Sequence, residues 1–281
     1  MFDNIAQRVK SDFARARFKA FRNHILHILG GQPVNLLSYE DVKEKLRIGG
    51  PIYRGVKTVE VKQIVGSLNR YHEFDRAFLP LEDRIADRWQ NIDRAFYQDV
   101  SLPPVVLYKV GEVYFVVDGH HRVSVAREQG QLYIDAEVRE CATKVNITPE
   151  LKAEDLEMLG EEVRFLERTA IDRLRPKSAI HTTIPDGYER MLEHIAVHRY
   201  FMGLDWQKDI SEEEAVSHWY DRVYQPIVRS IRRSGILKEF PGKTEADLYL
   251  WVLDRQRYLH AAGHELVSPT RAANDFLDEV K

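Results

Sequence analysis

The chain has 281 residues, of which 44% are hydrophobic, and 41 basic residues against 44 acidic ones leave a formal net charge of −3. This length and composition suit about two folded domains and exclude a largely disordered chain, while the charge argues against a globally basic nucleic-acid-binding protein. The single cysteine, Cys141, excludes an intrachain disulfide framework and a cysteine-based zinc cluster. No apolar run approaches the ~18 residues of a membrane span, and Met1–Asn4 opens no apolar signal segment, so we expect a cytoplasmic protein without a membrane partner.

Residues 1–50 are predicted to form an N-terminal helical segment. Apolar residues recur at helical spacing, at Ile5, Val9, Phe13, Ala16 and Ala20. Basic residues dominate the rest of this helix, at Arg8, Lys10, Arg15, Arg17, Lys19 and Arg22. Such a basic amphipathic helix either packs on its own protein with a solvated polar face or lies on a membrane or on phosphates.

A second, shorter helix is predicted to follow the first. Ser38 precedes Asp41 by three residues, which is typical of an N-cap with an acidic first turn, and the helix should run through Leu46. The sequence Gly-Gly-Pro at 49–51 then marks a segment boundary.

Residues 51–145 are predicted to form an α+β domain. Val59 and Val61 alternate with polar residues, as in a strand, and residues 81–96 show one apolar helical face. Two β-branched runs at 105–110 and 113–117 flank a glycine and indicate a hairpin. A short helix ending near Gly130 and a strand over 132–138 should complete the domain, with Cys141 beyond that strand.

Residues 146–281 are predicted to form an all-helical domain because apolar residues recur there at helical spacing between proline-containing loops. Two His-x3-His pairs, His194/His198 and His260/His264, lack an evident third ligand, so we predict no metal site. A basic stretch over 229–238 could contact nucleic acid, although a solvated helix face is the favoured interpretation.

The residues that point to chemistry are Asp-Gly-His-His-Arg at 118–122, here called the 118–122 loop. Gly119 permits a sharp turn between a strand and a helix, and a helix N-terminus attracts anions. Arg122 adds a planar guanidinium for oxygen contacts, His120 and His121 can donate hydrogen bonds or move a proton, and Asp118 could hold a metal ion on a phosphate. The alternative is a polar turn in which the histidines cap backbone groups.

This loop, together with the strand before it and the helix after it, resembles the ParB/sulfiredoxin superfamily over roughly residues 55–140. Sulfiredoxins carry a cysteine within the loop, which is absent here, and partitioning ParB proteins carry Gly-Glu-Arg-Arg, of which only Arg122 matches. Free serine kinases of this fold carry the same five residues as the 118–122 loop. Stretches at 198–201 and 240–251 resemble segments joined to ParB-like domains, and no activity follows from them.

The resemblance implies nucleotide binding, with Arg70 and the five loop residues holding phosphates. It also implies a catalytic carboxylate upstream, for which Glu73 is the candidate and Asp75 the competitor, with His120 as a third catalytic residue. A carboxylate there would accept the proton of an acceptor hydroxyl, and Arg70 and Arg76 could supply positive charge.

The predicted function is therefore nucleotide binding with transfer of a phosphoryl group from ATP or ADP, in the presence of Mg²⁺, to a small hydroxyl substrate. The alternative is a regulator gated by CTP or ATP, or a DNA-associated protein without metabolic turnover. We further expect a homo-oligomer, and nucleic acid is not a favoured partner.

Overall fold

The computed structural model describes residues 2–28, 36–70, 72–263, 265 and 267–280, and the chain divides into two compact units, Met1–Glu157 and Met158–Lys281. The first unit combines a six-stranded mixed sheet with helices, which confirms the predicted α+β class. The second unit is helical throughout its described elements, as predicted. The N-terminal residues predicted as a separate segment belong to the first unit.

The described part of the first unit contains four helices, six strands and short 3-10 turns. In chain order its elements are α1 (Phe2–Ile28), β1 (Leu37–Ser38), α2 (Tyr39–Lys45), β2 (Ile52–Glu60), β3 (Ile64–Ser67), α3 (Ala86–Tyr97), β4 (Val105–Val110), β5 (Val113–Asp118), α4 (His120–Glu128) and β6 (Tyr133–Cys141), with 3-10 turns at Val61–Gln63, Asp83–Ile85 and Ala153–Asp155. The predicted cap of α2 is confirmed, because the Ser38 side chain accepts a hydrogen bond from the Asp41 N–H. Cys141 is buried as the last residue of β6, so its predicted place beyond that strand is wrong, because the strand continues three residues past its predicted end at 138.

The strand order is β1-β3-β5-β4-β6-β2. The predicted hairpin is confirmed as the antiparallel pair β4 and β5, and Gly111 in its turn has a φ of 59°. The parallel strands β1 and β3 were not predicted, and β3 places the fully buried Ser67 beside Val116 of β5. The carboxyl ends of β3 and β5 therefore lie side by side, and the 118–122 loop leaves the sheet at this edge.

Helix α1 packs with one face on the first unit. Val9, Ala16 and Ala20 on that face are fully buried, which fits the predicted apolar periodicity. Arg15 and Lys19 both form ion pairs with Glu128 at the end of α4, at 2.7 and 2.9 Å. The structure thus shows α1 as a helix docked on its own protein, in agreement with the first of the two interpretations of its sequence.

The second unit contains helices α5 (Leu156–Thr169), α6 (Ile171–Leu174), α7 (Gly187–Trp206), α8 (Glu212–Trp219), α9 (Gln225–Ser234), α10 (Glu245–Ala261) and α11 (Pro269–Val280), with a π-helical turn at Tyr220–Tyr224 and a 3-10 turn at Ile236–Glu239. Its core is rich in aromatic residues, and Trp219 donates a hydrogen bond to the buried Tyr249 hydroxyl at 2.9 Å. The first two residues of α5, Leu156 and Glu157, belong to the first unit. Among the described residues, no helix combines the length and the apolar character that crossing a membrane requires.

A buried carboxylate cluster joins α1, α3 and α4. Asp12 and Asp93 are both buried, and the Glu128 side chain is almost inaccessible. Gln129 Nε2 donates to Asp93 Oδ1 at 2.7 Å, but Asp93 Oδ2 has no partner in the described part of the chain. Burial, followed by the nearby Asp12 and Glu128 carboxylates, raises the pKa of Asp93 to about 6.

Asp93→Asn should stabilise the protein at pH 7. The pKa of the Asp93 carboxyl group is near 4 in the unfolded chain and about 6 in the folded protein. Its contribution to stability is therefore fully present below pH 4, where the group is protonated in both states, and is lost as the pH rises through about 6 and the buried group ionises. The uncharged amide can keep the bond from Gln129, so we expect a gain of about 2 kcal/mol in the free energy of unfolding at pH 7 and almost none at pH 4. Urea unfolding at both pH values measures this difference.

The matched control for that prediction is Asp12→Asn. Asp12 accepts hydrogen bonds from Tyr97 at 2.6 Å and pairs with Arg15 at 2.8 Å, so its charge is compensated and its loss should destabilise the fold. Equal stability of Asp93→Asn and wild type at pH 7 would contradict the idea that Asp93 carries an uncompensated charge.

Candidate phosphate site

The 118–122 loop turns at Gly119, which has a φ of 99° and is the N-cap of α4. An added Cβ at this position would lie 2.6 Å from Val105 Cγ1 and 3.0 Å from the Arg122 guanidinium. Both the left-handed backbone and the lack of space therefore require glycine. No side chain caps the first turn of α4, so its N–H groups and the positive end of the helix dipole are available to an anion.

A cavity of about 510 Å³ opens at this helix N-terminus. The 118–122 loop forms one wall, and the facing residues come from the segment after β3 and from α3, namely Asn69, Arg70, Arg88, Asn91 and Ile92. Arg70 was predicted for this site, whereas Arg88, Asn69 and Asn91 were missed. Arg88 and Asn91 are three residues apart on the polar side of the helix predicted over 81–96, and that spacing was the signal available in the sequence.

His120 is buried at the start of α4 and forms a close contact with β3. Its Nε2 lies 2.7 Å from Ser67 Oγ, and the Phe74 ring stacks on the imidazole with the ring centroids 6.3 Å apart. Burial, followed by the positive charge of Arg70, lowers the pKa of His120 to about 4. The ring is therefore neutral at pH 7 and can donate a hydrogen bond from only one nitrogen.

His121 is the residue whose hydrogen-bonding capacity is least satisfied. Both ring nitrogens are buried, and neither has a partner within the described residues. Burial, then Arg70 and Arg88, lowers the pKa of His121 to about 4. A buried polar group without a partner costs free energy, so this ring is suited to a ligand or a water molecule that would complete its hydrogen bonds.

Arg122 stabilises the 118–122 loop through hydrogen bonds within the protein. Its guanidinium donates to the carbonyl oxygens of Pro103 and Pro104 and to Asp118 Oδ2, the last at 2.6 Å. Its side chain is largely buried, in contrast to the exposed Asp118. Arg122 lines the cavity, but these contacts occupy much of the donor capacity that we predicted for phosphate oxygens.

The upstream acidic candidates have different surroundings. Glu73 forms ion pairs with Arg70 at 3.1 Å and with Arg84 at 3.6 Å, so it touches a residue of the cavity wall without lining the cavity itself. Asp75 is buried, and its Oδ1 accepts hydrogen bonds from the N–H groups of Ala77 and Leu79. Asp75 therefore stabilises the backbone turn that runs from Asp75 to Leu79.

Arg76 also differs from its predicted role as a source of charge for phosphates. Its guanidinium donates to the carbonyl oxygens of Val65, Pro149 and Leu151 at 2.8–3.0 Å. Burial lowers the pKa of Arg76. These contacts connect backbone segments inside the first unit, so Arg76 supports the fold rather than the cavity.

The histidine pairs of the second unit are distributed over separate contacts. His194 Nδ1 lies 3.1 Å from the Tyr249 hydroxyl, and His198 Nε2 lies 2.7 Å from His218 Nδ1. His264 lies outside the described residues. Across the parts of the chain that are described, no group of three or more His, Cys, Asp or Glu side chains is arranged to hold a metal ion.

Comparison with known proteins adds little to this geometry. No family model matches the chain, and no curated protein matches it. A solved structure of a Pnob8-like ParB-N domain is similar to 70% of this chain and 88% of that domain, with 12% sequence identity and a TM-score of 0.21. A TM-score this low supports no conclusion, so the fold class rests on the structure itself and the functional argument rests on the cavity.

Proposed function

We propose that the cavity at the 118–122 loop binds the phosphates of a nucleotide. The observation that carries this proposal is the convergence of an uncapped helix N-terminus with the positively charged side chains of Arg70 and Arg88. Among the described residues that line the cavity, Asp118 is the one carboxylate, and its charge is paired with Arg122. The net environment is therefore positive and rich in N–H donors, which is what a phosphate group requires.

A second cavity supports a nucleotide as the ligand in preference to a free phosphate. It has a volume of about 550 Å³ and shares Ile92 and Arg122 with the first cavity. Its wall includes the partly exposed apolar side chains of Phe96, Leu102 and Tyr133. An apolar pocket beside an anion site suits a ligand that has phosphates at one end and a flat base at the other.

Among the described residues that line the cavity, a single carboxylate is suited to coordinate Mg²⁺. Mg²⁺ in phosphate sites keeps several waters and takes one or two carboxylates together with phosphate oxygens. Asp118 is an exposed residue of the cavity wall and is the candidate carboxylate. We therefore propose that Mg²⁺ enters the site already bound to the phosphates of the nucleotide.

The finer proposal is phosphoryl transfer from ATP or ADP to a small hydroxyl compound, as the resemblance to free serine kinases implies. Glu73 is the carboxylate that this proposal would use as the base, because its ion pair with Arg70 places it next to the cavity wall. The competing proposal is a regulator that binds CTP or ATP and does not transfer the phosphoryl group. Radiolabelled nucleotide with Mg²⁺ and a mixture of hydroxyl acceptors separates them, since only the transferase would label an acceptor.

Arg88→Ala should weaken binding of ATP or ADP by about 10-fold or more. The change removes one of the two cations that face the loop, and a hydrogen bond to a charged group contributes roughly 1.5–3 kcal/mol. Isothermal titration calorimetry with Mg²⁺ and each nucleotide gives the affinity directly.

The control for Arg88 is Arg22→Ala, which removes an exposed arginine of α1 from outside the cavity. This variant changes the net charge equally and should retain wild-type affinity. Equal affinities of wild type and Arg88→Ala would remove α3 from the site, and a wild-type protein that binds no nucleotide or phosphate would overturn the proposed function.

A further inference from the structure

Ser67 is a fully buried serine whose hydroxyl group contacts three partners. It is the last residue of β3, and its Oγ accepts hydrogen bonds from the backbone N–H groups of Asn69 at 3.3 Å and Arg70 at 3.0 Å. The third partner is Nε2 of His120, at 2.7 Å. Ser67 thus joins the turn that carries Arg70 to the first residue of α4.

The directions of these three hydrogen bonds follow from counting donors and acceptors. A serine hydroxyl has two lone pairs and one hydrogen, and the two backbone N–H groups occupy both lone pairs. The Ser67 O–H must therefore donate to His120, so Nε2 is the acceptor and carries no proton. The ring proton of the neutral imidazole is then on Nδ1.

The tautomer of the His120 ring decides whether its second nitrogen can bind an anion. A neutral imidazole offers a donor at one nitrogen and a lone pair at the other, and a phosphate oxygen accepts hydrogen bonds but repels a lone pair. With Nε2 occupied by Ser67, the remaining nitrogen of His120 is a donor. The opposite tautomer would present a lone pair in its place.

We propose that Ser67 is a positioning residue that fixes His120 as the Nδ1–H tautomer, so that the ring donates a hydrogen bond to a phosphate bound at the 118–122 loop. This inference rests on the proposed phosphate-binding function for its second half, whereas the tautomer itself can be measured without a ligand. Ser67 acts through His120 and the Arg70 turn and does not line the cavity.

The test uses full-length protein with ¹⁵N-labelled histidine rings. Long-range ¹H–¹⁵N correlation spectra distinguish the two tautomers, and a His120→Asn variant assigns the His120 signals. We expect the wild type to show the Nδ1–H form and Ser67→Ala to shift towards the Nε2–H form or a mixture. Affinity for inorganic phosphate, measured by calorimetry, should fall about 10-fold in Ser67→Ala, in the range for a hydrogen bond to a charged acceptor.

The matched control is Ser124→Ala. Ser124 is another buried serine, one turn further along α4, and its hydroxyl accepts a hydrogen bond from the Trp89 indole at 2.8 Å. This variant should lower the melting temperature and leave both the His120 tautomer and phosphate affinity unchanged.

Three results would overturn the inference. The first is an Nε2–H form in the wild type, which does not depend on the Ser67 variant and so remains decisive if Ser67→Ala does not fold. The second is an unchanged tautomer in Ser67→Ala, and the third is a changed tautomer with unchanged phosphate affinity. A wild type that shows the Nδ1–H form but binds no phosphate would instead overturn the proposed function and, with it, the role of the ring as a donor.

Discussion

Gly119→Ala should abolish measurable phosphate binding and destabilise the first unit. The φ of 99° disfavours any residue with a Cβ, and the new methyl group would meet Val105 Cγ1 at 2.6 Å and the Arg122 guanidinium at 3.0 Å. Relief of these contacts requires the backbone at Gly119 to move away from Val105, which displaces the first N–H groups of α4. We expect a loss of about 3 kcal/mol in the free energy of unfolding. We also expect at least a 100-fold loss of affinity for phosphate, because the N–H groups of the first turn of α4 would no longer point at one common position.

The chain supplies a matched control at the other end of the same helix. Gly130 also has a positive φ, of 71°, but an added Cβ there would have nothing within 4 Å. Gly130→Ala therefore tests backbone strain without a steric clash, and we expect a cost of about 1 kcal/mol with unchanged phosphate affinity. Denaturant unfolding and calorimetry on both variants separate the two effects, and equal behaviour of the two variants would contradict the special role of Gly119.

Glu73→Gln should lower the rate of phosphoryl transfer by roughly 10²–10⁴, the usual contribution of a general base. The amide keeps the shape of the side chain and can still accept a hydrogen bond from Arg70, so the melting temperature and the nucleotide affinity should change little. Single-turnover rates with ATP or ADP, Mg²⁺ and the labelled acceptor provide the measurement.

Asp75→Asn should show the opposite behaviour. Asp75 accepts hydrogen bonds from two backbone N–H groups and from Asn23, so an amide leaves part of this buried turn without an acceptor. We expect a loss of about 1–3 kcal/mol in stability and a nearly wild-type rate in the folded protein. A Glu73→Gln protein that transfers phosphate at the wild-type rate would remove Glu73 from the chemistry and leave the loop as a binding site alone.

The parts of the first unit that local sequence determines were predicted well. The hairpin of β4 and β5 follows from alternation around a glycine, and the N-terminal cap of α2 follows from Ser38 and Asp41. The turn at Gly119 was predictable for the same reason, because a strand, a glycine and a helix follow one another directly. Strands β1 and β3 were missed because they have only two and four residues and pair in parallel with distant segments.

The candidate site was only partly predictable because charge in a sequence does not reveal burial. Asp75 and Arg76 carry the charges expected of a catalytic region, yet both bond to backbone groups inside the fold. Arg88 has the same side chain as many solvated helix arginines, and it becomes part of the cavity because α3 packs with Trp89 and Asp93 buried, which leaves Arg88 on the side that lines the cavity. Tertiary packing decides which charged residues meet, and no spacing rule along the chain contains that information.

The hydrogen bond between the Trp89 indole and Ser124 gives the chain a spectroscopic reporter beside its candidate site. Trp89 is the one tryptophan of residues 1–157, and the other three, at 206, 219 and 251, belong to the second unit. Fluorinated tryptophan therefore places a single ¹⁹F nucleus in the first unit, at the contact between the helix that carries Arg88 and the helix that begins at the 118–122 loop. Its resonance can follow a ligand that draws these two helices together, while the three remaining signals serve as an internal reference from the second unit.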